Sequence, residues 1–181
     1  MRPASHDNNG RGDSPMHALA EWRDFYVMIG TASGAIVGAA FIVVTLVSNL
    51  EKRALGVRGF ITPIVVHLSS VLVGSAILTV PTLTPVSLAI ILGTGGLGGT
   101  LYSIVAALRI WHMRLDADDR IFYVILPIIA YAAMATAAIM ACTHNEPTFE
   151  TLAVSLVALL IIGIRNAWDM ASFAIMQGRG E

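Results

Sequence analysis

The chain has 181 residues, of which 56% are apolar and only 13% charged, with a net charge of −1. This balance belongs to polytopic membrane proteins and leaves no basic footprint for nucleic acid. The single cysteine, Cys142, excludes an internal disulfide and a cysteine metal cluster.

The first 21 residues are polar and rich in turn formers, so a disordered tail is expected over 1–21, followed by a transmembrane domain over 22–178. The tail contains Arg11-Gly12-Asp13-Ser14, a short adhesion-like string that arises readily by chance. It is not read as a secretory signal, because the apolar run that follows is helix-sized.

A bilayer core about 30 Å thick needs roughly 20 apolar helical residues to cross it. Five stretches meet that length: Phe25–Ser48, Ile61–Val80, Val86–Ile110, Ile121–Cys142 and Thr151–Met176. No segment shows the alternation of a barrel strand. The expected fold is all-α, an integral bundle of five transmembrane helices with short loops and no cofactor motif.

The first helix carries Gly30, Gly34 and Gly38 at four-residue spacing, a stripe that lets a neighbouring backbone approach closely. Packing inside the same chain is the favoured reading; packing against another copy is the alternative. In the second helix His67 is the one ionisable residue at membrane depth, about a third of the way in from the expected cytoplasmic end, with Ser70 on the same face. It reads either as a neutral histidine bonded to a neighbour or as a functional group. No second metal ligand lies within helical reach of it. Pro81 and Pro85 bound the next connection, which should place helices two and three side by side.

The third helix contains Gly93, Gly95 and Gly98 in the spacing of a dinucleotide fingerprint. That motif needs a preceding strand and a helix start in water, so it is rejected here. Gly95, Gly99, Ser103 and Ala107 read instead as a close-packing stripe, with a broken helix lining a transport site as the alternative. In the fourth helix Pro127 predicts a modest kink.

The fifth helix ends in a polar turn with Arg165, Asn166 and Asp169. Arg or Asp at a membrane centre costs about 2.5–3.5 kcal/mol on insertion scales, so these residues should face the bundle or an interface. Arg165 lies 14 residues beyond Thr151, roughly 21 Å of helical rise, which puts it near a boundary of the hydrocarbon. Arg before Asp is the weaker order for a one-turn pair, so a further partner on another helix or on the basic loops is expected.

Lys52, Arg53 and Arg58 fall between helices one and two, and Arg109, Arg114 and Arg120 between three and four, while the other two connections carry no Lys or Arg. The positive-inside rule then places the N-terminus outside and the C-terminus in the cytoplasm. Trp22 and Tyr26 at one end and Trp111, Tyr123 and Trp168 at the other fit interfacial belts.

Three short strings carry a resemblance: Trp22-Arg-Asp-Phe-Tyr26, the glycine-rich first helix running into Ser48-Asn-Leu-Glu51, and Asn166-Ala-Trp168. In these the chain resembles small bacterial five-helix inner-membrane proteins, some of which carry the label modulator of the membrane protease FtsH. The resemblance implies a location in the bacterial inner membrane and carries over no catalytic residue. The functional reading is a non-enzymatic membrane protein acting through contacts with the bilayer and with itself (a homo-oligomer) or another membrane protein. The alternative is an oligomeric ion channel or small-solute transporter.

Overall fold

The computed structural model describes residues 19–48, 54–110, 117–143 and 148–178. Most of the expected tail, Lys52, Arg53, Trp111 and Arg114 lie outside the described residues. Five long helices account for nearly all of the rest: α1 (Arg23–Ser48), α2 (Ala54–Leu78), α3 (Pro85–Ile110), α4 and α5 (Thr148–Gly178). α4 runs as three joined pieces, Ala117–Arg120, a π-helical Ile121–Ile125 and Leu126–Cys142. No strand occurs among the described residues.

The helices start and stop for local reasons. Thr84 caps α3: its Oγ1 accepts from the Ser87 amide at 3.1 Å, and Pro85 takes the first helical position, where a missing N–H costs nothing. The expected kink at Pro127 takes the form of the π-helical stretch just before it. The Leu126 amide bonds to the Ile121 carbonyl, five residues back, because the ladder cannot continue through a proline nitrogen.

Helix boundaries differ from the sequence reading chiefly at α2. It begins at Ala54 rather than near Ile61, so Arg58 falls inside a helix and not in a connection. At the start of the chain, residues 19–21 are helical and Leu19 is 5% exposed, so the packed part begins ahead of Trp22.

Contacts between helices fix their directions. Gly30 meets Ser75 and Gly34 meets Leu72, so α1 and α2 are antiparallel. Gly96 meets Ala135 and Gly99 meets Tyr131, so α3 and α4 are antiparallel as well. Gly74 meets Leu156 and Gly163 meets Leu68, which runs α5 antiparallel to α2. Directions therefore alternate along the chain. One end of the bundle carries Trp22, Glu150 and the α2–α3 connection; the other carries Arg109, Arg120, Arg165 and Asp169.

The helices group into two close pairs, α1–α2 and α3–α4, with α5 packed against α2 on one side and α4 on the other. α2 and α3, although joined by a short connection, touch little. The expectation that this connection would hold them side by side does not hold, because each glycine-rich helix finds its close fit with a different neighbour. α5 is the most central element: half of its apolar span is buried, against 22% for those of α1 and α3.

Four helices are long and apolar enough to cross a membrane: Arg23–Ile42, Pro85–Arg109, Ile121–Cys142 and Thr148–Asp169. In α2 the apolar helical stretch Thr62–Leu78 is shorter. Outward-facing side chains on these segments are large and apolar, among them Val27, Ile42, Ile90, Leu97, Leu101, Ile129 and Val154. The fold is that of a multi-pass membrane protein.

Candidate functional site

Two polar clusters interrupt the apolar interior, one at mid-bundle and one toward an end. At the middle, His67 on α2 is 2% exposed. Its Nδ1 lies 3.1 Å from the Tyr131 hydroxyl on α4. Tyr131 Oη–H donates to Ser70 Oγ at 2.9 Å, and Ser70 Oγ–H donates to the Val66 carbonyl at 2.8 Å. The tyrosine's one proton is thereby committed to Ser70. With that proton given to Ser70, Oη meets His67 as an acceptor, an arrangement that fits the tautomer protonated at Nδ1. The Tyr102 ring of α3 stands edge-on to the imidazole, with centroids 6.4 Å apart.

The glycines of α3 make this arrangement possible. A side chain at Gly99 would overlap the Tyr131 ring, so only glycine leaves room for it. One turn earlier, a Cβ at Gly96 would stand 2.5 Å from the Ala135 nitrogen, so the two backbones are in direct contact. Gly95, expected in this stripe, is exposed at the edge, and its added Cβ would lie an ordinary 3.6 Å from Met134 Sδ. The stripe that packs is Gly96, Gly99, Ser103 and Ala107.

His67 lies about a third of the way along the apolar stretch Thr62–Leu78 and near the middle of α2 as a whole. α2 starts earlier than expected, and Tyr131 and Gly99 fall near the middles of their own spans. Three more buried hydroxyls tie helices together, two within the bundle and one near the Trp22 end. Ser33 Oγ donates to the Leu68 carbonyl at 2.6 Å, Ser155 Oγ to the Ala130 carbonyl at 2.7 Å, and Tyr26 Oη to the Phe149 carbonyl at 3.2 Å. In an apolar medium such bonds avoid the cost of an unmatched polar group, about 1–3 kcal/mol.

The second cluster sits on the last turns of α5. Arg165 Nη2 is 3.6 Å from Asp169 Oδ2, and both side chains are about one-third exposed. The guanidinium also lies 4.8 Å from the centre of the Phe122 ring, on the π-helical part of α4. The expected further partner on another helix is thus an aromatic face, held by a cation–π contact. Asn166, next in sequence, is fully buried, and neither its Oδ1 nor its Nδ2 has a hydrogen-bond partner.

Gly30 and Gly34 face α2 inside the same chain, while Gly38 has open space around it. Cys142 is exposed at the end of α4. Among the described residues no group of three His, Cys, Asp or Glu is placed to hold a metal ion.

Sequence reading missed Tyr131, Tyr102 and Gly96. The available signal was Tyr131 itself: a tyrosine in the middle of an apolar helix needs a partner for its hydroxyl. Comparison with family models, with curated proteins and with solved structures gave no match.

Proposed function

We propose that all five long helices cross a bacterial inner membrane, and that the protein acts by contact with other membrane proteins or with further copies of itself rather than by a reaction. The observation that carries this reading is how the interior is matched. The glycine faces of α1 and α3 and the hydroxyls of Ser33, Tyr131 and Ser155 are taken up by neighbours in the same chain. What α1 and α3 turn outward is a long apolar surface, with Gly38 and Gly98 open to a close approach. In lipid, where helices gain nothing from hydrophobic burial, such open small residues are places where a second helix can pack. The positive-inside rule, applied to Arg109, Arg120 and Arg165, supports a cytoplasmic position for their end of the bundle.

Photo-crosslinking residues introduced at Gly38, Gly98 and Leu101 test the reading in intact membranes. One discrete protein adduct from the α1 or the α3 face is the expected outcome. Lipid adducts alone at every position would overturn it.

The channel or small-solute transporter reading is supported by a polar bridge at the bundle centre and by the unmatched Asn166. It expects solute flux in proteoliposomes that His67→Ala and Arg165→Ala change. No flux across a broad ion panel argues against it.

A further inference from the structure

Among the described residues three buried side chains have polar atoms without a hydrogen-bond partner, Ser75, Ser103 and Asn166, and Asn166 alone leaves two such atoms, a donor and an acceptor. Its place on α5 shows where it points. Leu156 and Gly163 mark the face of α5 that meets α2, through Gly74 and Leu68. Ser155 and Arg165 mark the face that meets α4, through Ala130 and Phe122. At 100° per residue, Asn166 falls between these two faces and is aimed into the seam where α2 and α4 stand apart. Across that seam His67 and Ser70 are hydrogen-bonded to Tyr131.

Depth follows from the same contacts. α5 and α2 run antiparallel with Gly163 opposite Leu68, so Asn166 lies about 4–5 Å beyond that level, toward the end carrying Arg165 and Asp169. A second observation at this end points the same way. The Leu126 amide bonds to Ile121, and Pro127 has no N–H. The Phe122 carbonyl therefore lacks the regular α-helical bond from Leu126, and Pro127 has no amide to replace it. A carbonyl released from the α-helical ladder and an unmatched amide thus lie on two packed helices, and Asn166 adjoins Arg165, whose side chain is about one-third exposed. In lipid, non-helical or uncapped backbone persists where it borders protein polar groups or water.

We infer that the α2–α4 seam at Asn166 admits water along a path that is closed in this structure, where Asn166 is fully buried. That path leads past Arg165 and Asp169, each about one-third exposed, to the face that carries Arg109 and Arg120. It ends at the His67–Tyr131–Ser70 bridge, which closes the seam at mid-bundle. The ligand is water: a molecule that donates and accepts satisfies both amide atoms and the backbone carbonyl, and a buried water needs two to four such partners. The inference rests on the membrane-spanning reading and goes beyond contact between proteins.

Cysteine accessibility in sealed membranes tests it, using full-length protein with Cys142→Ser as background and a small, charged, membrane-impermeant thiosulfonate as probe. Asn166→Cys should be labelled from the Arg165 side alone, as is Trp168→Cys, which is 72% exposed at the same end. Leu159→Cys, fully buried further in, should stay unlabelled. An Asn166→Cys as inert as Leu159→Cys, with Trp168→Cys reactive, overturns the water path and leaves the membrane reading standing. A Trp168→Cys that reacts from both sides overturns the membrane reading itself. Asn166→Asp gives a check that does not depend on labelling. A hydrated seam accepts the isosteric carboxylate and the variant accumulates folded; a dry seam does not, and loss of folded protein overturns the inference.

Discussion

Inside the α3–α4 pair the contact is dry and close; across the seam between α2 and α4 it is sparse and polar. In the first, glycines at 96 and 99 bring backbone against backbone and make room for a tyrosine ring. In the second, His67 and Ser70 of α2 reach Tyr131 of α4 through hydrogen bonds. Both hold helices together where lipid removes the hydrophobic drive, but by different means. Close packing is all-or-none, since an added methyl group has nowhere to go. A hydrogen-bonded bridge is graded and can be loosened without unfolding what lies on either side.

The comparison breaks first at Gly96. Gly96→Val puts a branched side chain against the Ala135 backbone, which cannot give way as a flexible side chain would. Overpacking of this kind costs about 1–3 kcal/mol and at times more. The α3–α4 pair should separate, seen as loss of a folded, monodisperse species in mild detergent. A Gly96→Val protein with an unchanged melting temperature would mean that the two backbones do not touch.

Tyr131→Phe addresses the seam alone, because the ring that fills the space at Gly99 is kept. His67 Nδ1 loses its acceptor, and a loss of about 1 kcal/mol is expected, read as a lower melting temperature. The bridge reading further requires that His67→Ala add little on top of Tyr131→Phe; fully additive losses would show that the two residues do not act together.

Arg165→Ala removes an exposed ion pair and a cation–π contact, each worth about 1 kcal/mol or less. A small drop in melting temperature is expected. Its ion-pair part should shrink as salt is raised, since the pair is partly open to solvent.

Gly38→Ala should give the smallest effect and no loss. No atom lies within 4 Å of the added Cβ, and alanine is the better helix former by about 1 kcal/mol. Gly30→Ala, whose Cβ would stand 2.9 Å from Ser75 Cβ, should be destabilising by comparison. Equal responses at the two glycines would undo the assignment of Gly30, and not Gly38, to the α1–α2 contact.

Much of the helical content was legible beforehand, because an apolar stretch long enough to cross a bilayer must satisfy its own backbone as a helix. The boundaries were less so. The start of α2 mixes Gly56 and Arg58 with apolar residues and reads as a connection, yet a helix does not end where its apolar character ends. The glycines of α3 were visible as a packing surface, but five of them in seven positions allow several registers. Gly95 and Gly96 are indistinguishable until Ala135 and Met134 take their places. Ser70 could be placed on the face of His67, and Arg165 and Asp169 on one turn, from spacing alone. Tyr131 as the link between His67 and Ser70, and Phe122 under Arg165, could not, since each joins residues far apart in the chain.

The sequence by itself therefore determined the all-helical class, the presence of long apolar spans and which residues break their apolar pattern. Those properties are local: they depend on hydropathy, on backbone hydrogen bonding and on the spacing of residues along one helix. Only the tertiary structure decided which helices pair, that α2 and α3 touch little despite their short connection, and that His67 is in contact with Tyr131. Those depend on how the shapes of two helix surfaces fit, and a glycine shows that another atom can come close without showing which one does.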